Sequence, residues 1–309
     1  MVPADRRGAE LRVRQGDRRP RRVRAQRCAG RAVLGSAGDI VTPYDEPVAR
    51  YRDVVYATVP GFRPLLLDLT VPRGGEVPVV LWIHGGAWLH GSHRPGAESP
   101  RWVHDLPGQV LAAGYAFASA QYRLSGETTF PGQLHDVKAA VRWLRHFAPD
   151  LGLDADRIAV WGESAGGHLA ALAALTGGVA ALEGSHGVAG VGSHVRAALD
   201  FYGPADLRRM PNPVDSPESL LLGHSAADER ASAASPATYA TGDAPPLFVA
   251  HGEQDRLVPF EQSVFLVGAL RDVGAPVEFR PVPDADHVFR GVDPTPVVED
   301  ALRFLSRVL

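Results

Sequence analysis

The sequence predicts an α/β protein, a mostly parallel central sheet flanked by helices on both faces. Three observations carry that expectation. From about residue 51 onward, short apolar runs alternate with longer amphipathic segments across Gly/Pro turns, as strands alternate with crossover helices. Pro78–Ile83 and Arg157–Trp161 are almost continuously apolar and rich in β-branched and aromatic residues, which suits strands covered on both faces. Finally, a glycine-flanked pentapeptide, Gly162–Gly166, stands where the second of these runs gives way to a helical pattern.

Taken in order, Val54–Tyr56 and Leu65–Val71 read as an opening pair of antiparallel strands, and Pro78–Ile83 as a central parallel strand. A helix near 101–113 leads to a strand at Tyr115–Ala120. Pro131–Phe147 carries Leu134, Val137, Val141 and Leu144 on one helical stripe with a proline at its start. That helix returns the chain to the strand at Arg157–Trp161, followed by the helical pattern of Gly167–Leu175. Ala197–Phe201, Pro246–Ala250 and Val277–Val282 complete the strands. Residues 204–243, rich in Pro, Ser, Asp and Ala, are expected to form a small cap over the site.

Charge divides the chain unevenly. The net charge is −3, but residues 1–31 hold 11 Arg against Asp5, Glu10 and Asp17, leaving that stretch at +8 and the remainder at −11. The leader lacks aromatic residues, an apolar period or a nucleic-acid motif, so residues 1–40 read as a disordered extension or an over-called start, with residues 41–309 as the catalytic domain. Neither nucleic acid nor membrane is expected as a partner. Arg18–Arg22 superficially resembles a twin-arginine signal, but the apolar stretch after it is short and broken by Arg31. With Cys28 the lone cysteine, a disulfide framework and a cysteine-based metal site are not expected, and cytoplasmic residence fits.

Gly162-Glu163-Ser164-Ala165-Gly166 matches G-x-S-x-G between a strand and a helix, the context in which a sharp turn pushes a serine hydroxyl out above a sheet. Serine needs a base, and the base needs a carboxylate to orient it. Asp255 follows the strand at 246–250 and His287 follows the strand at 277–282, so Ser164, Asp255 and His287 fall at the carboxyl ends of strands. Asp206 is the alternative acid; His168 and His251 read as supporting residues. His84-Gly85-Gly86-Ala87-Trp88 follows the strand ending at Ile83; its Gly85 and Gly86 amides, with that of Ala165, are expected to receive an oxyanion. His84 reads as a brace for this loop. Trp88 and Leu221 are expected to line the substrate pocket. No His-x-x-x-His pair or carboxylate cluster suggests a metal, and no cofactor is expected.

These residues, together with Gln121–Leu124, Phe130-Pro131 with Asp136, Asp156–Ile158, Phe201–Leu207, Ser235-Pro236 and His251–Asp255, resemble the bifunctional feruloyl and acetyl-xylan esterase-like branch of the α/β-hydrolases, adjacent to hormone-sensitive-lipase-type carboxylesterases. The resemblance covers roughly residues 50–309 and implies a cofactor-free serine carboxylesterase acting on small acyl esters. Two departures stand out. The segment before the His-Gly-Gly motif lacks the amphipathic stripe of the lipase-type helical cap, and Val288 follows the histidine where such enzymes commonly have Gly. Arylformamidase activity and a catalytically silent binding protein are the competing expectations.

Overall fold

The computed structural model describes residues 48–211, 213–224 and 228–309; the expected basic extension and Cys28 lie outside them. Eight strands form one sheet: β1 (Val48–Ala57), β2 (Leu65–Pro72), β3 (Val77–Ile83), β4 (Ala116–Ala120), β5 (Leu153–Glu163), β6 (Ala197–Phe201), β7 (Leu247–Gly252) and β8 (Val277–Val282). Their order is β1-β2-β4-β3-β5-β6-β7-β8, antiparallel where β2 meets β1 and β4 and parallel from there to β8. This is the α/β-hydrolase fold.

Period-two alternation distributes the core to both faces. In β3, Val79, Leu81 and Ile83 join the cluster covered by α2 (Gly132–Leu151), α3 (Ala165–Leu175) and α6 (Glu261–Asp272). Val80 and Trp82 face the opposite cluster, built with α1 (Arg101–Ala112) and α7 (Thr295–Val308). The second face is an aromatic stack. Trp82 meets Trp102 edge-on at 5.9 Å, and Phe201 touches Trp161 at 5.1 Å and Phe289 at 5.4 Å. Each such buried ring contributes roughly 1.5–3 kcal/mol of transfer free energy, and Phe289 is two residues from His287, so this packing also anchors the loop that carries it.

Several bounds differ from the sequence reading. β1 spans ten residues: although Arg50, Arg52 and Asp53 interrupt its apolar pattern, pairing with β2 satisfies its backbone at the sheet edge. α2 runs through Pro149 to Leu151; the helix ends at Gly152, whose φ of 71° gives the left-handed cap. The reading assigns no helix after β7 or β8, where α6 and α7 lie. In α7, Val297, Val298, Ala301, Phe304 and Leu305 are buried, an i, i+1, i+4, i+7, i+8 stripe.

The insertion between β6 and β7 carries two short helices, α4 (Pro217–Leu221) and α5 (Asp228–Ala233), and single 3-10 turns at Leu207–Arg209 and Pro236–Tyr239. Among the described residues no helix is long and apolar enough to cross a membrane.

Candidate active site

Ser164 sits between β5 and α3 at φ 50°, ψ −121°, a conformation that L-residues rarely adopt and that functional sites hold under strain. The flanking glycines make the turn possible. A Cβ on Gly162 would lie 2.1 Å from the Gly166 carbonyl oxygen, and one on Gly166 would lie 2.1 Å from that of Ile83. A side chain at Gly162 would therefore drive the helix start away from β5, and one at Gly166 would drive it away from β3.

The sheet brings the three expected residues together. His287 Nε2 lies 3.2 Å from Ser164 Oγ, and His287 Nδ1 lies 2.7 Å from Asp255 Oδ2. The other carboxylate oxygen, Oδ1, accepts from the Leu257 and Val258 amides, both at 2.9 Å. His251 adds a further contact at 3.3 Å from Nε2 to Asp255 Oδ2. Burial pushes the Asp255 carboxyl up, but the hydrogen bonds from His251, His287 and the backbone outweigh it and hold the group well below the usual carboxylate range. His287 is braced from the side by the Tyr202 ring at 5.0 Å, and its own amide is capped by Asp286 at 2.8 Å. Val288 takes φ 59°, ψ 24°, so the residue that stands where Gly is common occupies a backbone region costly for a β-branched side chain.

The remaining candidates have other partners. Asp206 is bound by the guanidinium groups of Arg208 and Arg209 at 2.8 and 3.2 Å. His251 Nε2 also faces the Val258 carbonyl at 3.0 Å, and Nδ1 faces Ser263 Oγ at 2.7 Å, so it clamps the loop that bears Asp255. The His84 ring stacks on Tyr122 at 4.3 Å, and burial lowers its pKa to about 4. His168 bridges two segments: Nε2 donates to the Ala234 carbonyl at 2.7 Å and Nδ1 accepts from the Trp88 indole at 3.3 Å. That pair of roles requires a neutral ring, and burial lowers its pKa to about 4.

Gly85, Gly86 and Ala165 all line the cavity beside Ser164, with the Glu163 carboxylate next to Gly85. Burial pushes the Glu163 pKa up, against the Tyr202 hydroxyl, which donates to Oε2 at 2.9 Å, and the Gly85 N–H. Ala87, at φ 54°, also lines the cavity. No sequence signal marks Ala87, whose left-handed backbone lies in a loop that approaches the His84 ring closely at Gly91.

The cavity around Ser164 and His287 has a volume of about 540 Å³ and is walled by Trp88, Met210, Leu257, Val288 and prolines of the cap. Leu221, expected there, is instead fully buried in the core, and its carbonyl accepts from the Phe130 amide at 2.8 Å. The turn of α4 points its Pro217 and Glu218 at the cavity and Leu221 away from it. A broader groove of about 890 Å³ around Asp206 and Tyr239 contains none of the three catalytic candidates. Asp53, Asp68 and His93 place three ligand atoms within 4.8 Å of one another, but Arg94 spans both carboxylates at 3.0 and 2.7 Å, so the acidic charge is already matched.

Behind the nucleophile, Asp200 is fully buried. Its Oδ1 accepts from the Gly203 amide at 2.9 Å, and Oδ2 has no partner. Burial pushes its pKa up to about 7 against that one hydrogen bond. Because the folded state holds a proton that the unfolded state releases near pH ~4, stability falls as pH rises from about 4 to about 7 and is level above that. Asp200→Asn is expected to remove this slope, about 1.4 kcal/mol for each unit of pKa difference. Melting temperatures of both proteins across that window measure it; parallel curves would show that Asp200 does not titrate there.

A model of the BD-FAE family matches residues 67–270. The chain is 35% identical over 272 residues to "Esterase LipQ" of Mycobacterium tuberculosis, covering 84% of this chain and 62% of LipQ. It therefore spans less than two thirds of that relative's length. Among solved structures, a truncated carbohydrate esterase from gut microbiota superposes with a TM-score of 0.77 at 31% identity, over 84% of this chain and 95% of that one. An esterase from Thermogutta terrifontis, Est2, gives 0.69 at 25% identity, over 85% and 93%.

Proposed function

The chain belongs to the BD-FAE family of the α/β-hydrolase superfamily, and from that premise we propose that it is a serine carboxylesterase hydrolysing small acyl esters by two-step acyl transfer. The observation that carries this reading is the continuous hydrogen-bonded line from Ser164 Oγ through His287 to Asp255, 3.2 and 2.7 Å long, beside an apolar cavity. The esterase names of LipQ and Est2 support the same reaction class.

In this mechanism His287 Nε2 takes the hydroxyl proton as Ser164 Oγ attacks the ester carbon. The carbonyl oxygen, now negative, is received by the amides of Gly86, Ala87 and Ala165. The Gly86 and Ala87 N–H groups have no acceptor among the described residues, and that of Ala165 is at the open start of α3. Asp255 holds Nδ1 protonated, leaves Nε2 free to accept, and stabilises the imidazolium that forms. The proton then passes from Nε2 to the departing alcohol. Water enters, gives a proton to the same nitrogen, attacks the acyl carbon and releases the acid with Ser164 restored.

The test is a substrate panel with trapping of the intermediate. Short para-nitrophenyl acyl esters, a feruloyl ester, acetylated xylan and N-formylkynurenine are offered to the purified protein, and rapidly quenched samples are mapped by mass spectrometry. Ester turnover with an acyl group on the Ser164 peptide is the expected result. Selective turnover of N-formylkynurenine would replace the esterase by a formamidase, and no turnover of any member would sink the enzymatic reading.

A further inference from the structure

Glu218 is the second residue of α4 and 8% exposed, and it lines the same cavity as Ser164 and His287. Its carboxylate has no hydrogen bond or ion pair with any described residue. Among the described residues neither arginine nor lysine lines this cavity, and the other carboxylate there, Glu163, already has the Tyr202 hydroxyl. The neighbouring walls are apolar or proline: Met210, Pro213, Pro217 and Leu257. Its oxygens remain accessible from the cavity rather than sealed in the protein, and none of these neighbours can supply a hydrogen-bond donor or a positive charge. A ligand can.

Resting on the esterase reading, we propose that Glu218 is a specificity-determining residue that selects esters bearing a protonated amine and turns away esters bearing a carboxylate. An ammonium group in the cavity supplies the missing N–H donor and matches the charge. A carboxylate-bearing substrate places a second negative charge in a partly enclosed space, with no arginine or lysine among the described lining residues to offset it. Like charges at such separations interact strongly enough to change specificity by about tenfold or more.

Isosteric esters test this. Dimethylaminopropyl, isohexyl and carboxypropyl acetates vary the charge on the alcohol. Methyl esters of dimethylaminobutyrate, methylhexanoate and hemiglutarate vary it on the acyl side. In the set that reaches Glu218, kcat/KM should fall in the order ammonium, neutral, carboxylate. Glu218→Gln should reduce the ratio of the first to the last by about tenfold or more. Calorimetric binding of the same esters to Ser164→Ala protein, which turns nothing over, reads the same ranking without relying on the Glu218 variant to fold. A flat or inverted ranking in both sets overturns the proposal. So does a Glu218→Gln variant that scales all three esters alike, as a purely structural carboxylate in the first turn of α4 would. Ammonium-selective binding with no Ser164-dependent turnover of any ester would uphold the role of Glu218 and overturn the esterase reading instead.

Discussion

Ser164→Ala is expected to lower kcat for a short acyl ester by a factor on the order of 10⁶, the scale on which loss of a triad nucleophile is felt, without unfolding the protein. The hydroxyl's one side-chain hydrogen bond is the 3.2 Å contact to His287 Nε2, so little packing is lost with it. The strained backbone at φ 50°, ψ −121° is no harder for alanine, because serine and alanine present the same Cβ to it. Residual hydrolysis should come from water attacking a carbonyl polarised by the Gly86, Ala87 and Ala165 amides, which the substitution leaves in place. Steady-state kinetics and a thermal melt on the same preparation measure both halves. A variant with an unchanged melt that keeps more than about a thousandth of the activity would mean that another group attacks the ester.

Asp255→Asn should cost about 10⁴-fold in kcat, for a reason specific to how this carboxylate is held. The Leu257 and Val258 amides both donate to Oδ1, so an asparagine places its carbonyl oxygen there and its NH₂ toward His287. Facing that donor, Nδ1 must accept, the ring proton moves to Nε2, and the base can no longer take the Ser164 proton. The carboxylate contributes to stability as well. Its folded-state pKa is depressed, so that stability is present above the unfolded pKa of ~4 and is lost as pH falls through the folded value. The variant should lack this contribution at neutral pH. Asp206→Asn is the control: it disrupts the ion pairs with Arg208 and Arg209 and should leave kcat nearly unchanged. Equal losses at the two positions would point to a general folding defect rather than to a tautomer effect.

The sequence by itself determined the strands, the two-faced core and the three residues brought to one edge of the sheet. These features follow from periodicity and chain order: a run such as Pro78–Ile83 has few other ways to bury its side chains, and residues that follow parallel strands emerge on the same side. The stripe of α7 is equally legible in Val297, Val298, Ala301, Phe304 and Leu305. Tertiary structure alone decided which groups face the cavity. Ala87 borders the substrate space with a left-handed backbone that nothing in the local sequence announces. Similarly, Leu221 and Glu218 share one short helix whose rotation buries the leucine and turns the carboxylate toward Ser164's cavity. The direction of an amide or a side chain in a loop or a single helical turn is set by contacts with segments distant in sequence. Here those are the His84 ring, Tyr202 and the Phe130 amide, and no local pattern encodes such contacts.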